Sequence, residues 1–150
     1  CPQSDVDAMV IGGHSDVGMV PLIEKAARNS VKVSEFLSSE RMQEVVEATK
    51  VGGATLTGLL GTSAWYAPGA AVSALVQAIA QDSQKMFPCS AILDGEYGLN
   101  DISIGVPCVL GKNGIERIVE VSLSDAEKSK LEESAAGVKK TNALLDGVLA

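Results

Sequence analysis

The residue types able to do acid–base or nucleophilic chemistry are few in this chain. Among 150 residues there is one histidine, His14, set in Ile-Gly-Gly-His-Ser-Asp directly after the apolar run Ala8-Met9-Val10-Ile11. Imidazole is the side chain whose ordinary titration falls nearest neutral pH, so it can give and take a proton under physiological conditions without a large environmental shift. Gly12 and Gly13 beside it would let backbone or substrate approach closely. A histidine here could move a proton, pair with Ser15 as a nucleophile, or be a hydrogen-bonded structural residue. The pairing is disfavoured because neighbouring residues on extended backbone point to opposite sides. A phosphate loop is disfavoured too: neither the Gly-x-Gly-x-x-Gly spacing nor a following lysine is present. One histidine with no ligand-spaced partner offers no metal site.

The three cysteines, Cys1, Cys89 and Cys108, form no Cys-x-x-Cys pair and leave an odd number, which argues against a disulfide framework. Cys89 and Cys108 lie in apolar runs and read as small core residues. The net charge of −7 disfavours a nucleic-acid partner, since phosphate neutralisation needs clustered lysine and arginine. No stretch reaches membrane-spanning length and no targeting peptide opens the chain, so a cytoplasmic protein with no membrane association is expected.

The elements that must position His14 follow from hydrophobic periodicity. Val6 to Ile11 reads as a strand ending at the glycines. Ser39 to Gly61 reads as a helix with Met42, Val45, Val46, Thr49, Leu56 and Leu60 on one face, and packing against a neighbour would account for Gly52 and Gly53 inside it. A second helix starts near Pro68, with Val72, Leu75, Val76 and Ile79 on one side. Pro88–Leu93, Ile102–Leu110 and Ile115–Val121 are short and rich in branched residues, predicting an antiparallel meander with Asn113-Gly114 as a hairpin turn. Ser124 and Glu127 form a capping-box pattern, and Leu131, Ala135, Val138, Leu145 and Val148 give the last helix an apolar stripe. With 46% hydrophobic residues, no repeats and no linkers, the chain reads as one α+β domain.

Several longer segments carry a family resemblance. Ile11-Gly-Gly-His-Ser-Asp-Val-Gly-Met-Val-Pro-Leu22 and Gly61-Thr-Ser-Ala-Trp-Tyr-Ala-Pro-Gly-Ala-Ala-Val72 resemble the C-terminal, substrate-binding half of malate and lactate dehydrogenases. Phe87-Pro-Cys-Ser-Ala-Ile-Leu-Asp-Gly-Glu-Tyr-Gly98, Ile104-Gly-Val-Pro107 and Leu110-Gly-Lys-Asn-Gly-Ile-Glu-Arg-Ile118 continue it in order over nearly the whole chain. Tyr-Ala-Pro together with Met-Val-Pro-Leu is similar to malate dehydrogenases of the lactate-dehydrogenase-like type. Ser15 departs from the common pattern, where glycine is more usual.

The resemblance implies a fold in which an antiparallel meander packs with long helices, residues 1–150 being the substrate-binding domain. It implies hydride transfer between NAD and a 2-hydroxy or 2-oxo acid, malate and oxaloacetate, with His14 as proton donor and acceptor. Gly13 and Ala64 would lie against substrate and Pro68 against the nicotinamide; the aromatic pair Trp65 and Tyr66 reads as pocket or core, with core or subunit interface favoured. The family's Asp-x-x-Arg helix, its mobile-loop arginines and its Gly-rich dinucleotide fold do not match any stretch here, and Asp5, Asp7 and Asp16 do not substitute for the missing aspartate. Asp16 would brace the loop. A chain opening at Cys1 without methionine looks like a cut, and a domain lacking the cofactor-binding half is expected to be inactive by itself. The parent is expected to be a homo-oligomer, a dimer or tetramer. Lactate or another 2-hydroxy acid as substrate, and a purely associative module, are the alternatives.

Overall fold

The computed structural model describes residues 2–15 and 17–145. Cys1, Asp16 and Val148, each singled out from the sequence, lie outside the described residues. Among the described residues, two antiparallel sheets and three α-helices make up the α+β architecture expected from the sequence. In chain order the strands are β1 (Val6–Asp7), β2 (Val10–Gly12), β3 (Met19–Pro21), β4 (Ala27–Arg28) and β5 (Val31–Lys32). They are followed by α1 (Ser39–Leu60), α2 (Tyr66–Ala80), β6 (Lys85–Asp94), β7 (Asn100–Gly111), β8 (Gly114–Ile118) and α3 (Asp125–Asn142).

The strand expected over Val6–Ile11 is two strands in different sheets. Val6 and Asp7 pair with Arg28 and Ala27 in a small three-stranded sheet, whereas Val10–Gly12 pairs with β3 and, at Gly12↔Gly105, with β7. An apolar run sets which residues prefer burial, but it does not specify partners, and the chain changes sheets at Ala8-Met9.

The meander over β6, β7 and β8 is present, with β7 at its centre. Alternation is clear at the start of β7, where Ile102 and Ile104 are buried and Ser103 is exposed; Val106 to Gly111 are buried without alternation, and both α2 and α3 reach this strand. The hairpin turn differs from expectation by one position. Gly111 pairs with Gly114, so Lys112 and Asn113 are the central residues and neither has positive φ; Gly114 (φ 95°) takes the left-handed position, and the register shifts at Val109/Leu110. That is a turn completed by a glycine bulge, which uses Asn-Gly one step later than a two-residue mirror-image turn would.

Helix α1 runs from the Ser38 cap, whose hydroxyl accepts the Arg41 N–H at 3.3 Å, to Gly61 in the left-handed conformation (φ 68°). Only its first turns are covered: Met42 and Val46 are buried, whereas Val45, Leu56 and Leu60 are exposed. A Cβ at Gly52 or Gly53 would meet nothing within 4 Å, so the close neighbour expected at this pair does not lie among the described residues. The α2 stripe is similarly half-covered. Ala78 is buried and Leu75 and Ile79 are half-buried, but Val72 and Val76 are exposed.

Helix α3 begins with the expected capping box. Ser124 Oγ accepts the Glu127 N–H at 3.3 Å, and Glu127 Oε2 accepts the Ser124 N–H at 2.8 Å. Its stripe packs Leu131 and Ala135 into a core shared with Ile11, Val20, Leu93 and Ile104. The stripe ends at half-buried Val138, because Leu145 lies beyond the helix and is exposed.

Cys89 and Cys108 are free thiols, and Cys108 is fully buried in the core. Burial, reinforced by the neighbouring Cys89, pushes the Cys108 thiol up to about 11 from its ordinary value of 9.0. Burial likewise raises Cys89 and Tyr97; the Tyr97 hydroxyl donates to the Val119 carbonyl and accepts from the Val121 N–H, each at 3.0 Å. These groups are acids that fold in their neutral form. Above pH 9 the folded chain therefore holds protons that the unfolded chain releases, and stability falls as pH rises. Urea titrations at pH 7.5 and 10.5 are expected to give a lower midpoint at the higher pH; equal midpoints would contradict the assignment.

Candidate active site

His14 sits two residues past β2, in the loop Gly13–Gly18 that connects β2 to β3. The loop is held by backbone and hydroxyl bonds. Ser15 N–H donates to the Gly13 carbonyl at 3.0 Å, the Ser15 carbonyl accepts from the N–H groups of Gly18 and Met19 at 3.0 Å each, and Ser15 Oγ accepts from Gly18 N–H at 3.0 Å. Ser15 is therefore the turn's organiser, which is at odds with a nucleophile role. On the other side of His14, Gly13 N–H donates to Ser134 Oγ on α3 at 2.7 Å.

Close approach of backbone demands the glycines. Gly12 adopts φ 92°, and a Cβ there would lie 2.3 Å from the Gly18 carbonyl oxygen. A Cβ on Gly13 would meet Ser134 Oγ at 3.2 Å and Val138 Cγ2 at 3.3 Å.

The imidazole is exposed and borders two grooves. One, of about 560 Å³, runs between the loop and α3 past Ser134, Gly137 and Thr141. The other, of about 470 Å³, runs along β6 and β7 past Ser90, Ser103 and Gly105. Neither groove is lined by a lysine or arginine, so the described residues offer no cationic clamp for a carboxylate beside His14. Asp5 is occupied by an ion pair with Arg28 at 3.7 Å, and Asp7 stands exposed on β1. A side chain able to move one proton, on an anchored loop beside open space, can act on an oxygen of a bound molecule. It cannot by itself bind and orient that molecule.

The other residues expected at the site lie elsewhere. Ala64 lines a separate apolar groove of about 410 Å³ with Leu56, Leu60, Trp65 and Tyr66, at the corner between α1 and α2. Pro68 is exposed in the first turn of α2. Trp65 and Tyr66 are not core: they are 69% and 93% exposed, because the α1–α2 corner has no described residues packed over it. Gly13 and His14 share a groove; neither Ala64 nor Pro68 borders it.

Sequence reasoning passed over Ser134. Its signal was present, since positions 131, 134, 135 and 138 fall on one helical face, and a hydroxyl inside an apolar stripe must find a partner. No candidate partner could be read from the sequence 121 residues away. Among the described residues no group of three or more histidine, cysteine, aspartate or glutamate side chains is placed to hold a metal ion, and no helix is long and apolar enough to cross a membrane.

Residues 1–144 match the family model described as lactate/malate dehydrogenase, alpha/beta C-terminal domain. The chain is 55% identical over 148 residues to the malate dehydrogenase of Flavobacterium frigidimaris, covering 99% of this chain and 48% of that protein. It superposes on the crystal structure of Cryptosporidium parvum malate dehydrogenase with a TM-score of 0.94 at 37% identity, covering 98% of this chain and 48% of that one. The lactate dehydrogenase of Eimeria maxima, solved with NADH and oxamate, gives 0.89 at 34% identity, with 98% and 48% covered. The chain spans about half the length of the relatives it matches.

Proposed function

Because the chain belongs to the lactate/malate dehydrogenase family as its alpha/beta C-terminal domain, we propose that it is the substrate-binding half of an NAD-dependent malate dehydrogenase, with His14 as the group that moves the proton. The observation that carries this reading is the anchored loop that presents the imidazole to two open grooves. In the direction of reduction an imidazolium donates to the keto oxygen of oxaloacetate; in the direction of oxidation the neutral ring takes the proton from the malate hydroxyl. Gly13 borders both grooves beside the imidazole and is assigned to the substrate side through its place in the matched segment. Ala64 and Pro68 are assigned to the substrate and nicotinamide side of the pocket through their place in the matched segments alone.

The described residues do not fit the cofactor itself. Every strand pairing is antiparallel, so they provide no βαβ unit whose Gly-rich turn and helix N-terminus could take a pyrophosphate. The reading therefore places NAD, together with the carboxylate clamp and the carboxylate that orients His14, on an N-terminal dinucleotide-binding domain of the intact enzyme. The NADH held by the Eimeria maxima relative supports the choice of cofactor. The exposed apolar side chains of α1 and α2, Leu59 at 81% and Val72 at 58% among them, support a homo-oligomer, dimer or tetramer. Free thiols at Cys89 and Cys108 suit the cytoplasm.

Steady-state assays of the intact enzyme with NADH test the assignment. Oxaloacetate is expected to be reduced at a kcat/KM at least about a hundredfold above that for pyruvate, since a second carboxylate makes a charge-assisted pair that a methyl group cannot replace. A preference for pyruvate would give the reaction to lactate, and no turnover of either acid would remove the reading.

A further inference from the structure

We propose that Ser134 is a positioning residue: its hydroxyl on α3 fixes the backbone immediately before His14 and thereby sets where the imidazole stands. This rests on the reading of His14 as the proton-moving group. Ser134 is 5% exposed, inside the apolar stripe of α3, and its Oγ accepts the Gly13 N–H at 2.7 Å. A serine in the middle of a helix commonly bonds the carbonyl one turn back or points into water. Here it reaches out of the helix to a loop 121 residues distant. Contact is close on both sides of the bond, since a Cβ on either Gly12 or Gly13 would stand 3.2 Å from the same oxygen.

The consequence is mechanical. β2 reaches β7 at the single pairing Gly12↔Gly105 and ends there, so the strand alone leaves the chain free to pivot after Gly12. The Ser15 turn closes the loop locally but ties it only to itself and to the start of β3. The Ser134 hydroxyl is the described side chain that links the backbone at His14 to a rigid helix, and the groove that the ring borders has that helix as its far wall. Proton transfer is sensitive to donor–acceptor distance, and a displacement near 1 Å can lower turnover about a hundredfold.

Kinetics of the intact enzyme with oxaloacetate and NADH test this. Ser134→Ala is expected to lower kcat roughly ten- to a hundredfold while KM for NADH stays within about threefold, and Ser134→Thr, which keeps the hydroxyl, is expected to retain kcat within about threefold. Ser124→Ala removes the cap of the same helix without touching the loop, and is expected to lower the urea midpoint of unfolding with kcat unchanged. Should Ser134→Ala not fold, Ser134→Cys, close in size and a poor acceptor, takes its place. Wild-type kcat in Ser134→Ala, a threonine variant as slow as alanine, or an equal loss in Ser124→Ala would each overturn the inference. If His14→Asn abolishes turnover and Ser134→Ala does not, only the role of Ser134 is lost; if His14→Asn turns over normally, the reading of His14 falls and this inference with it.

Discussion

His14→Asn in the intact enzyme is expected to lower kcat for oxaloacetate reduction by about 10²- to 10⁴-fold, the range general acid–base catalysis contributes. Asparagine keeps a polar planar group of similar reach on the loop, so the backbone bonds of Gly13, Ser15 and Gly18 persist. An amide has no proton to release near neutral pH, and no described residue bordering the two grooves can replace it. Glu133 is the other described ionisable side chain along the α3 groove, and it stands on the helix rather than on the loop that presents the imidazole. Cys89 borders the sheet groove, but burial holds its thiol above its ordinary range and so in the protonated form. NADH affinity, measured by fluorescence titration, is expected to stay within about threefold, because the described residues provide no dinucleotide-binding unit. Loss of turnover together with loss of NADH binding would point to collapse of the loop, and unchanged turnover would remove His14 from the reaction.

How much of this was legible in the sequence depends on whether the signal was local. Helix α1, read from its apolar spacing as Ser39 to Gly61, agrees with the observed Ser39–Leu60 to within a residue, because the spacing is local and Gly61 ends the helix in the left-handed conformation. The α3 capping box was equally plain. His14 stood out because it is the single histidine and follows two glycines. What could not be read was who meets whom. Val6–Ile11 looked like one strand because each residue carries a preference for burial and none carries a partner's address; the switch between sheets at Ala8-Met9 is decided by β4 on one side and β3 and β7 on the other. The two helices α1 and α2 were located, yet Val45, Leu56, Leu60, Val72 and Val76 of their expected apolar faces are exposed, as are Trp65 and Tyr66 at the corner between them, since apolarity fixes a demand for cover and not its source. The partner of Ser134 was invisible for the same reason.

The glycines at the foot of the loop give the sharpest contrast in stability. Gly12→Ala is expected to destabilise this chain by roughly 3–5 kcal/mol, a size reserved for a few mechanisms that include strain at a special backbone conformation. Two costs combine. At φ 92° an alanine leaves its favoured backbone regions, at about 1–2 kcal/mol, and its Cβ would stand 2.3 Å from the Gly18 carbonyl oxygen, a backbone atom that cannot swing aside. Gly105→Ala meets the facing strand instead, with its Cβ 2.7 Å from the Gly12 carbonyl oxygen, but carries no positive-φ penalty, so its cost is expected to be smaller. Gly53→Ala has nothing within 4 Å and lies inside a helix, where alanine is favoured by up to about 1 kcal/mol, so it is expected to stabilise. Urea midpoints therefore order as Gly53→Ala above wild type, wild type above Gly105→Ala, and Gly12→Ala lowest. The order discriminates because composition treats the three positions alike: a Gly12→Ala protein as stable as wild type would mean that the backbone of the His14 loop is not held against β2 as described, and the anchored imidazole would lose its foundation.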